Sequence, residues 1–170
     1  MIAARGREAP VNGTRLYYER AGSGPPVVLV SGGGTLDRRQ WDDQFQVLAG
    51  RHDVIRYDLR GIGRSARPSA EFSHHNDLSA LLDYLNIEQA LICGVSFAVI
   101  AIDAALDFPD RISGLVLAGA GLSSDRQASV DSVRALSALA RSEGLEHAID
   151  LVLGLAWFVS PGNEVAKRRM

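Results

Sequence analysis

Residues 90–98 read Ala-Leu-Ile-Cys-Gly-Val-Ser-Phe-Ala, and this stretch decides the fold. The apolar run at 90–93 predicts the end of a buried strand, and residues 97–106 predict a helix that follows it. Ser96 therefore lies where the chain must reverse sharply, between small residues that a tight turn tolerates. A turn of this kind between a strand and a helix makes an ordinary serine hydroxyl an exposed nucleophile.

Strands and helices alternate on both sides of this turn. The hairpin dipeptide Asn12-Gly13 joins two predicted strands, and the uninterrupted apolar run at 27–30 is typical of a strand covered on both faces. Residues 53–58 and 112–118 predict two further strands, with helical patterns between them. The alternation predicts an α/β fold with a mostly parallel sheet and helices on both faces.

The alternation stops after residue 122. Residues 129–142 carry apolar side chains at helical spacing, and residues 145–159 predict a second helix that is apolar nearly all round. Neither helix is followed by a predicted strand. The sequence therefore predicts two parts, an α/β core at residues 1–122 and a helical segment at residues 123–170.

The overall composition is that of an ordinary globular protein of one-domain size. The 170 residues are 46% hydrophobic and 22% charged, with a formal net charge of −2. A balance so close to neutral gives no electrostatic reason to bind nucleic acid or an anionic membrane surface. Cys93 is the single cysteine, so no disulfide can form within the chain. Residues 1–7 lack the apolar run of a signal peptide, and we expect a cytoplasmic protein with no nucleic-acid or membrane partner.

No pattern in the sequence requires a cofactor or a metal. Residues 61–66 fit the glycine spacing of a dinucleotide-binding loop, but Arg67 and Pro68 follow where that loop needs a helix to begin. The glycines at 32–34 lack the lysine of a phosphate-binding loop. No cluster of histidine, cysteine and aspartate has the spacing of metal ligands. We therefore expect no cofactor and no metal.

Four segments of the sequence carry a family pattern: residues 12–33, 57–65, 94–98 and 108–117. In this order and spacing, the chain resembles the N-terminal part of an α/β-hydrolase-fold protein, of the small esterase, lactonase and haloperoxidase-like type. The resemblance covers residues 10–122, and the segment that follows is similar to the beginning of the family's helical cap. It implies the α/β-hydrolase fold truncated after about the sixth strand.

The resemblance also implies a function, a serine hydrolase of small esters or lactones. Ser96 is similar in position to the family's nucleophile. The backbone amides of Phe97 and of Gly33, or alternatively of Gly34, are similar in position to the donors of its oxyanion hole, which stabilise the negative charge of the transition state. Asp58 is similar to a structural aspartate of the family, and we do not assign it as the catalytic acid.

The chain departs from the family where the catalytic base is needed. In the family, the catalytic acid and histidine follow the last two core strands, which the resemblance does not reach. His52 is expected at the opposite end of the sheet, and His74 and His75 are expected to be solvated residues before a helix capped by Asn76. His147 is a candidate base, although no predicted strand precedes it. We therefore expect the chain to hydrolyse activated esters weakly or not at all.

A second interpretation stays open, in which the chain is a non-catalytic binding protein or a pseudoenzyme that keeps the pocket. The sequence is compatible with a natural short product, a truncated gene or a fragment. In the first interpretation the partner is a small-molecule ester or lactone substrate. In both, the strand at 112–118 is an exposed apolar edge and the helix at 145–159 adds an exposed apolar patch. We therefore expect self-association or poor solubility.

Overall fold

Six strands form one sheet in the computed structural model of the chain, which describes residues 5–33, 36–96, 98–119, 126–144 and 146–147. The strands are β1 at Arg5–Val11, β2 at Thr14–Ala21, β3 at Pro26–Val30, β4 at Asp53–Tyr57, β5 at Ala90–Val95 and β6 at Ile112–Ala118. Their order across the sheet is β1-β2-β4-β3-β5-β6. β3 is parallel to β4 and β5, and β5 is parallel to β6, whereas the β1–β2 and β2–β4 pairs are antiparallel. The predicted mostly parallel sheet is confirmed.

Helices connect the parallel strands. The described helices are α1 at Asp42–Leu48, α2 at His74–Tyr84, α3 at Val99–Asp107 and α4 at Arg126–Glu143, with short 3-10 turns at Arg38–Trp41 and Pro109–Arg111. In this described part of the chain, no helix combines the length and the apolar character that crossing a membrane requires.

The chain divides into two compact units, Met1–Gly121 and Leu122–Met170. The first unit contains the sheet together with α1, α2 and α3. The second unit contains α4, and residues 146–147 are also helical. Apart from those two residues, the predicted helix at 145–159 lies outside the described residues.

The central strands of the sheet are covered on both faces, because they are apolar on both sides. Val28 and Val30 of β3 pack with buried side chains of α2 and α3 on one face. Val27 and Leu29 pack on the other face, where Phe45 of α1 covers them. Each fully buried side chain of this kind contributes about 1.5–3 kcal/mol to folding. This two-sided burial is what the uninterrupted apolar run of β3 predicts.

The prediction that Asn76 is the N-cap of the helix before β5, here α2, is wrong. α2 begins earlier, and its N-cap is Ser73, whose Oγ accepts a hydrogen bond from the Asn76 amide at 3.5 Å. Serine and asparagine are both good N-caps, and here a tertiary contact favours the earlier one. His75 Nε2 lies 2.9 Å from Asp107 Oδ2 of α3, which draws the first turn of α2 onto α3. His74 and His75 are therefore half-buried helical residues rather than solvated loop residues.

Candidate active site

A tight turn links β5 to α3, and Ser96 is its central residue. Ser96 has a φ of +58°, in the left-handed region that residues other than glycine seldom adopt. Its amide donates a hydrogen bond to the Ala118 carbonyl oxygen at 2.9 Å, which ties the turn to the end of β6. The side chain is exposed, and no described residue forms a hydrogen bond with its hydroxyl. Ser96 is thus strained in its backbone and open at its side chain.

Gly94 and Ala98 meet across this turn. A Cβ atom at Gly94 would lie 2.9 Å from Ala98 Cβ and 3.1 Å from Ala98 Cα. The first of these distances is shorter than real Cβ contacts, so only glycine fits at position 94 without a shift of the turn. Gly94 therefore lets the strand and the helix approach, and Ala98 fills the space that remains.

The loop after β3 lies directly against Ser96. A Cβ atom at Gly32 would lie 3.2 Å from Ser96 Cβ and 3.3 Å from the Val95 carbonyl oxygen. The Gly32 amide donates a hydrogen bond to Gln40 Oε1 at 2.9 Å. The structure therefore brings the glycine loop and the serine together, as neighbours at the carboxyl edge of the sheet.

Two backbone amides were predicted to form the oxyanion hole, that of Phe97 and that of Gly33 or, alternatively, of Gly34. Gly33 and Leu36 form an isolated antiparallel bridge, in which the Gly33 carbonyl accepts a hydrogen bond from the Leu36 amide at 3.0 Å. Gly34 and Phe97 lie outside the described residues. The convergence of these amides on one point beside Ser96 stays a prediction.

The three histidines of the first unit lie away from the turn. His52 is half-buried, and it precedes β4 at the amino edge of the sheet as predicted, whereas Ser96 follows the carboxyl end of β5. His75 is bonded to Asp107, the last residue of a helix that begins beside Ser96 and runs away from it. His74 is next to it, and burial holds the pKa of His74 below its ordinary value of 6.5. No described histidine of this unit is placed to activate Ser96.

His147, the candidate base, belongs to the second unit. Its side chain is exposed, and its Nε2 lies 3.3 Å from Glu143 Oε2, one helical turn earlier. Exposed pairs at this spacing are common on helix surfaces and contribute little to stability. The role of His147 as a base stays a prediction.

Asp58 follows β4 and is fully buried. Its carboxylate accepts hydrogen bonds from the Arg38 amide at 2.9 Å, from the Arg64 amide at 2.8 Å and from Arg38 Nη1 at 3.0 Å. Its backbone carbonyl accepts a further bond from Ser65 Oγ at 2.6 Å. These bonds hold the surrounding loops in place, and none of those formed with described residues involves a histidine. The geometry is that of a structural aspartate.

Buried ion pairs fix the 3-10 turn that carries Gln40. Arg38 Nε lies 2.9 Å from Glu19 Oε1, and Arg56 Nη2 lies 2.6 Å from Glu19 Oε2. Burial by itself would raise the pKa of Glu19, but the hydrogen bonds and charges of the two arginines outweigh it and hold that pKa below its ordinary value of 4.5. The turn therefore presents Gln40 rigidly to Gly32. Sequence reasoning missed Gln40 and Glu19, and the available signal for Glu19 was a pair of opposite charges on two predicted strands, Glu19 in β2 and Arg56 in β4.

The residues at Ser96 identify the candidate site, because the groove of the first unit described next does not include Ser96. A groove of about 420 Å³ lies elsewhere, beside the β1–β2 hairpin, where its lining includes Asn12, Thr14 and Arg67. That groove contains neither Ser96 nor the glycine loop. In the described residues, no group of three histidine, cysteine, aspartate or glutamate side chains is arranged to hold a metal ion. The candidate active site is therefore the turn at Ser96 with the adjoining loop after β3.

Comparison with known proteins points to one family. The family model described as the alpha/beta hydrolase fold matches residues 25–140. A protein of Azorhizobium caulinodans named as a carbamate hydrolase, RutD, is 36% identical over 106 residues, which are 60% of this chain and 40% of that protein. The 2-hydroxymuconate semialdehyde hydrolase of a Pseudomonas species is 35% identical over 137 residues, which are 75% of this chain and 48% of that enzyme.

Solved structures give the same result. The meta-cleavage product hydrolase from Pseudomonas fluorescens matches with a TM-score of 0.65 and 30% identity, over 68% of this chain and 45% of its own. An epoxide hydrolase from Vigna radiata matches with a TM-score of 0.64 and 26% identity, over 67% of this chain and 38% of its own. The chain thus spans less than half the length of the proteins that it resembles here.

Proposed function

This chain belongs to the α/β-hydrolase family, and on that premise we propose that it is a serine hydrolase of small esters or lactones. In the proposed reaction, Ser96 Oγ attacks the acyl carbon and forms an acyl-serine, while the alcohol leaves with the proton of the hydroxyl. Water then attacks the acyl-serine, which releases the acid and restores the serine.

The observation that carries this proposal is the conformation of Ser96. A serine between a strand and a helix can also serve as a helix cap, with its hydroxyl bonded to the first turn. Here the N-cap of α3 is Ala98, and no side chain forms a cap hydrogen bond. The backbone of Ser96 is strained at φ +58° while its hydroxyl remains exposed. Strain of this kind persists where the surrounding structure imposes it, and it is concentrated at active sites.

The proposal includes an oxyanion hole, formed by backbone amides next to Ser96. We assign the amides of Phe97 and Gly33 as its donors, with Gly34 as the alternative to Gly33. Support comes from Gly32 of the same loop, which abuts Ser96. One donor of this type stabilises the transition state by about 3–4 kcal/mol.

The rate is expected to be low, because no described histidine of the first unit reaches Ser96. In a serine protease whose triad has been dissected, loss of the histidine alone lowers kcat by about 10⁶-fold, and the oxyanion hole with binding retains roughly 10³–10⁴ over water. We therefore propose that this chain acylates slowly and turns over weakly. His147 remains the candidate for any base-assisted turnover.

The substrate class rests on the relatives and on the chemistry of the serine. The relatives bear the names of a carbamate hydrolase and of a hydrolase of a small semialdehyde. Both names are compatible with small organic substrates that a nucleophile attacks at an acyl or keto carbon. An activated ester such as p-nitrophenyl acetate therefore tests the proposal with the fewest assumptions.

The experiment combines a burst assay with peptide mass spectrometry. The chain is mixed with excess p-nitrophenyl acetate, p-nitrophenolate is followed, and the acetyl group is located after digestion. We expect about one acetyl group per chain, at Ser96. The Ser96→Ala variant should lose it, and the matched Ser73→Ala variant, which removes a helix-cap hydroxyl, should keep it.

Two outcomes would contradict parts of the proposal. Acetylation that persists in Ser96→Ala would show that Ser96 is not the nucleophile. Robust turnover that His147→Ala abolishes would show that the chain does contain a base, which overturns the expected impairment. A burst that survives His147→Ala would support slow chemistry without a base.

A second candidate function is ligand binding without turnover. It is favoured by the hydroxyl of Ser96, which bonds to no residue that the structure describes, and by the positions of His52, His74 and His75 away from it. A fluorophosphonate probe separates the two functions, because it reacts with an activated serine. Labelling at Ser96 supports the hydrolase, whereas no labelling together with thermal stabilisation by γ-butyrolactone supports the binding protein.

A further inference from the structure

The glycine loop after β3 has no side chains of its own with which to hold its shape. It contains three consecutive glycines, residues 32–34, and glycine loses more conformational freedom on folding than any other residue. Position 32 also has little room for a side chain, because an added Cβ would lie 3.2 Å from Ser96 Cβ and 3.3 Å from the Val95 carbonyl oxygen. The conformation of this loop beside Ser96 is therefore fixed by bonds from other residues.

Two hydrogen bonds from residues 36–40 hold the first part of the loop. The Gly32 amide donates to Gln40 Oε1 at 2.9 Å, and the Leu36 amide donates to the Gly33 carbonyl at 3.0 Å. Together they fix both ends of the Gly32–Gly33 segment. The second bond is formed by the backbone, whereas the first depends on a side chain and can be removed by substitution.

The amide oxygen of Gln40 lies close to the candidate nucleophile. The Cβ that would lie 3.2 Å from Ser96 Cβ, if one were added to Gly32, would also lie 3.4 Å from Gln40 Oε1. Gln40 Oε1 and Ser96 Cβ therefore border the same small space, with the Gly32 backbone beside it. A change at Gln40 acts on the loop directly at the point where the loop contacts Ser96.

The backbone of Gln40 is fixed, although its side chain lies on the surface. Gln40 belongs to the 3-10 turn Arg38–Trp41, and its amide donates to the Asp37 carbonyl at 3.1 Å. Arg38, the first residue of the turn, is buried and bonded to Asp58. Holding an exposed glutamine side chain in one rotamer costs entropy, which offsets much of the free energy of a single hydrogen bond. The bond to Gly32 therefore contributes little to the stability of the fold, and its effect is on the local shape of the loop.

We propose that Gln40 is a positioning residue of the active site, which holds the Gly32 amide and thereby sets both the conformation of the glycine loop and the rate at which Ser96 is acylated. This inference rests on the proposed function, in which the next amide of the loop, that of Gly33, is a donor to the oxyanion. Such a donor is effective only if it is in place before the charge develops, and a displacement of about 1 Å at an active site can cost about 10²-fold in rate. The proposal gives Gln40 no contact with the substrate.

Two variants of the full chain test this role. Gln40→Met keeps the size of the side chain but removes the acceptor, whereas Gln40→Glu keeps an acceptor for the Gly32 amide. The acylation of Ser96 by p-nitrophenyl acetate should be about 10–100-fold slower in Gln40→Met, and partly restored in Gln40→Glu, whose charge opposes the oxyanion. Gln89→Met is the matched control, because Gln89 is an exposed glutamine directly before β5, at the amino edge of the sheet. It should leave the rate unchanged, and all three variants should keep the melting temperature of the wild type.

An ester with sulfur in place of its carbonyl oxygen separates loop positioning from a general loss of structure. Sulfur is a weak acceptor, so p-nitrophenyl thionoacetate gains less from the donors of the oxyanion hole than p-nitrophenyl acetate does. The ratio of the two acylation rates should fall in Gln40→Met. It should stay near the wild-type value in Gln40→Glu, because the added charge acts on both esters alike. A variant that was merely less well folded would lower both rates together and leave their ratio unchanged.

Hydrogen exchange of the Gly32 amide, followed by NMR without any substrate, gives a readout that does not require the reaction. Exchange should be faster in Gln40→Met and as slow as in the wild type in Gln40→Glu. Unchanged exchange in Gln40→Met would overturn the inference, whether or not Ser96 is acylated. Acylation of the wild type with the same rate and the same ester ratio in Gln40→Met would overturn the role of Gln40 alone. A wild-type chain that is not acylated at Ser96 would overturn the hydrolase function and, with it, any effect of Gln40 on the rate.

Discussion

The loops that follow β4 and β5 leave the same edge of the sheet, yet they use their polar groups in opposite ways. After β4, Asp58 is fully buried and accepts hydrogen bonds from two backbone amides and one guanidinium. After β5, Ser96 is exposed, and no described residue bonds to its hydroxyl. The first loop has its polar groups satisfied by the protein, whereas the second leaves one available to a ligand.

The contrast teaches how to separate structural from functional polar residues in this fold. A carboxylate whose oxygens are bonded to neighbouring loops contributes to stability, and its removal should be seen in unfolding. A strained residue with an unused hydroxyl costs stability, and it persists in a fold whose neighbouring contacts impose it. The predictions below test whether the two loops differ in this way.

The largest effect is expected from Asp58→Asn. This change leaves the buried Arg38 without one of its two carboxylate partners, and loss of one member of a buried pair costs about 3–5 kcal/mol. The measurement is the free energy of unfolding from urea titration. Asp110→Asn, in an exposed turn, is the control and should stay within about 0.5 kcal/mol of wild type. Equal losses in both variants would contradict a structural role specific to Asp58.

A somewhat smaller effect is expected from Gly94→Ala. The new Cβ would meet Ala98 Cβ at 2.9 Å, and overpacking of this kind costs about 1–3 kcal/mol. Ala98→Gly in the same chain removes the obstructing methyl group and should recover most of the loss. A double-mutant cycle by urea unfolding measures this coupling. Additive effects of the two changes would argue against close packing of the turn.

A difference of about 1 kcal/mol is expected between two variants of Ser96. Ser96→Gly and Ser96→Ala both remove the hydroxyl, but only glycine accepts a φ of +58° without the Cβ penalty. The glycine variant should therefore be the more stable one by thermal or urea unfolding. At Ser113, within β6, the order should be reversed, because glycine in a strand is less stable than alanine. The same order at both positions would remove the evidence for strain.

The last prediction concerns pH: protonation of Glu19 should leave stability unchanged near neutral pH and should lower it in acid. Its pKa is held below 4.5 in the folded state by Arg38 and Arg56, so the unfolded chain takes up the proton first as the pH falls. The stabilisation is therefore fully present above about pH 4.5 and is lost as the pH falls through the folded pKa. Unfolding free energies measured from pH 7 to 3 should fall less steeply in Glu19→Gln. An unchanged slope would contradict the ion-pair assignment.

Much of the fold follows from sequence pattern, because strand period and strand-to-helix turns are local features. β6 runs from Ile112 to Ala118, as its apolar run predicts. The start of α2 does not follow from pattern, because Ser73 and Asn76 are both good caps and a contact from His75 to Asp107 chooses between them. Local preference cannot settle a choice that a distant residue makes.

The candidate site divides in the same way. Ser96 is identified from its own surroundings in the sequence, because the turn that presents it is local. Gln40 is not identified, since its contact with the Gly32 amide depends on the 3-10 turn that Glu19, Arg38 and Arg56 hold in place. The contact of His75 with Asp107 of α3 likewise depends on how the two helices pack, which the local sequence does not determine.

The sequence by itself determined the order of strands and helices along the chain and the residue at which the chain turns after β5. Only the tertiary structure decided which segments meet. β3 and β5 are neighbours in the sheet although β4 lies between them in the chain, and this arrangement sets Gly32 against Ser96. The physical reason is that strand formation depends on nearby residues, whereas strand order depends on which apolar faces helices can cover across the whole sheet.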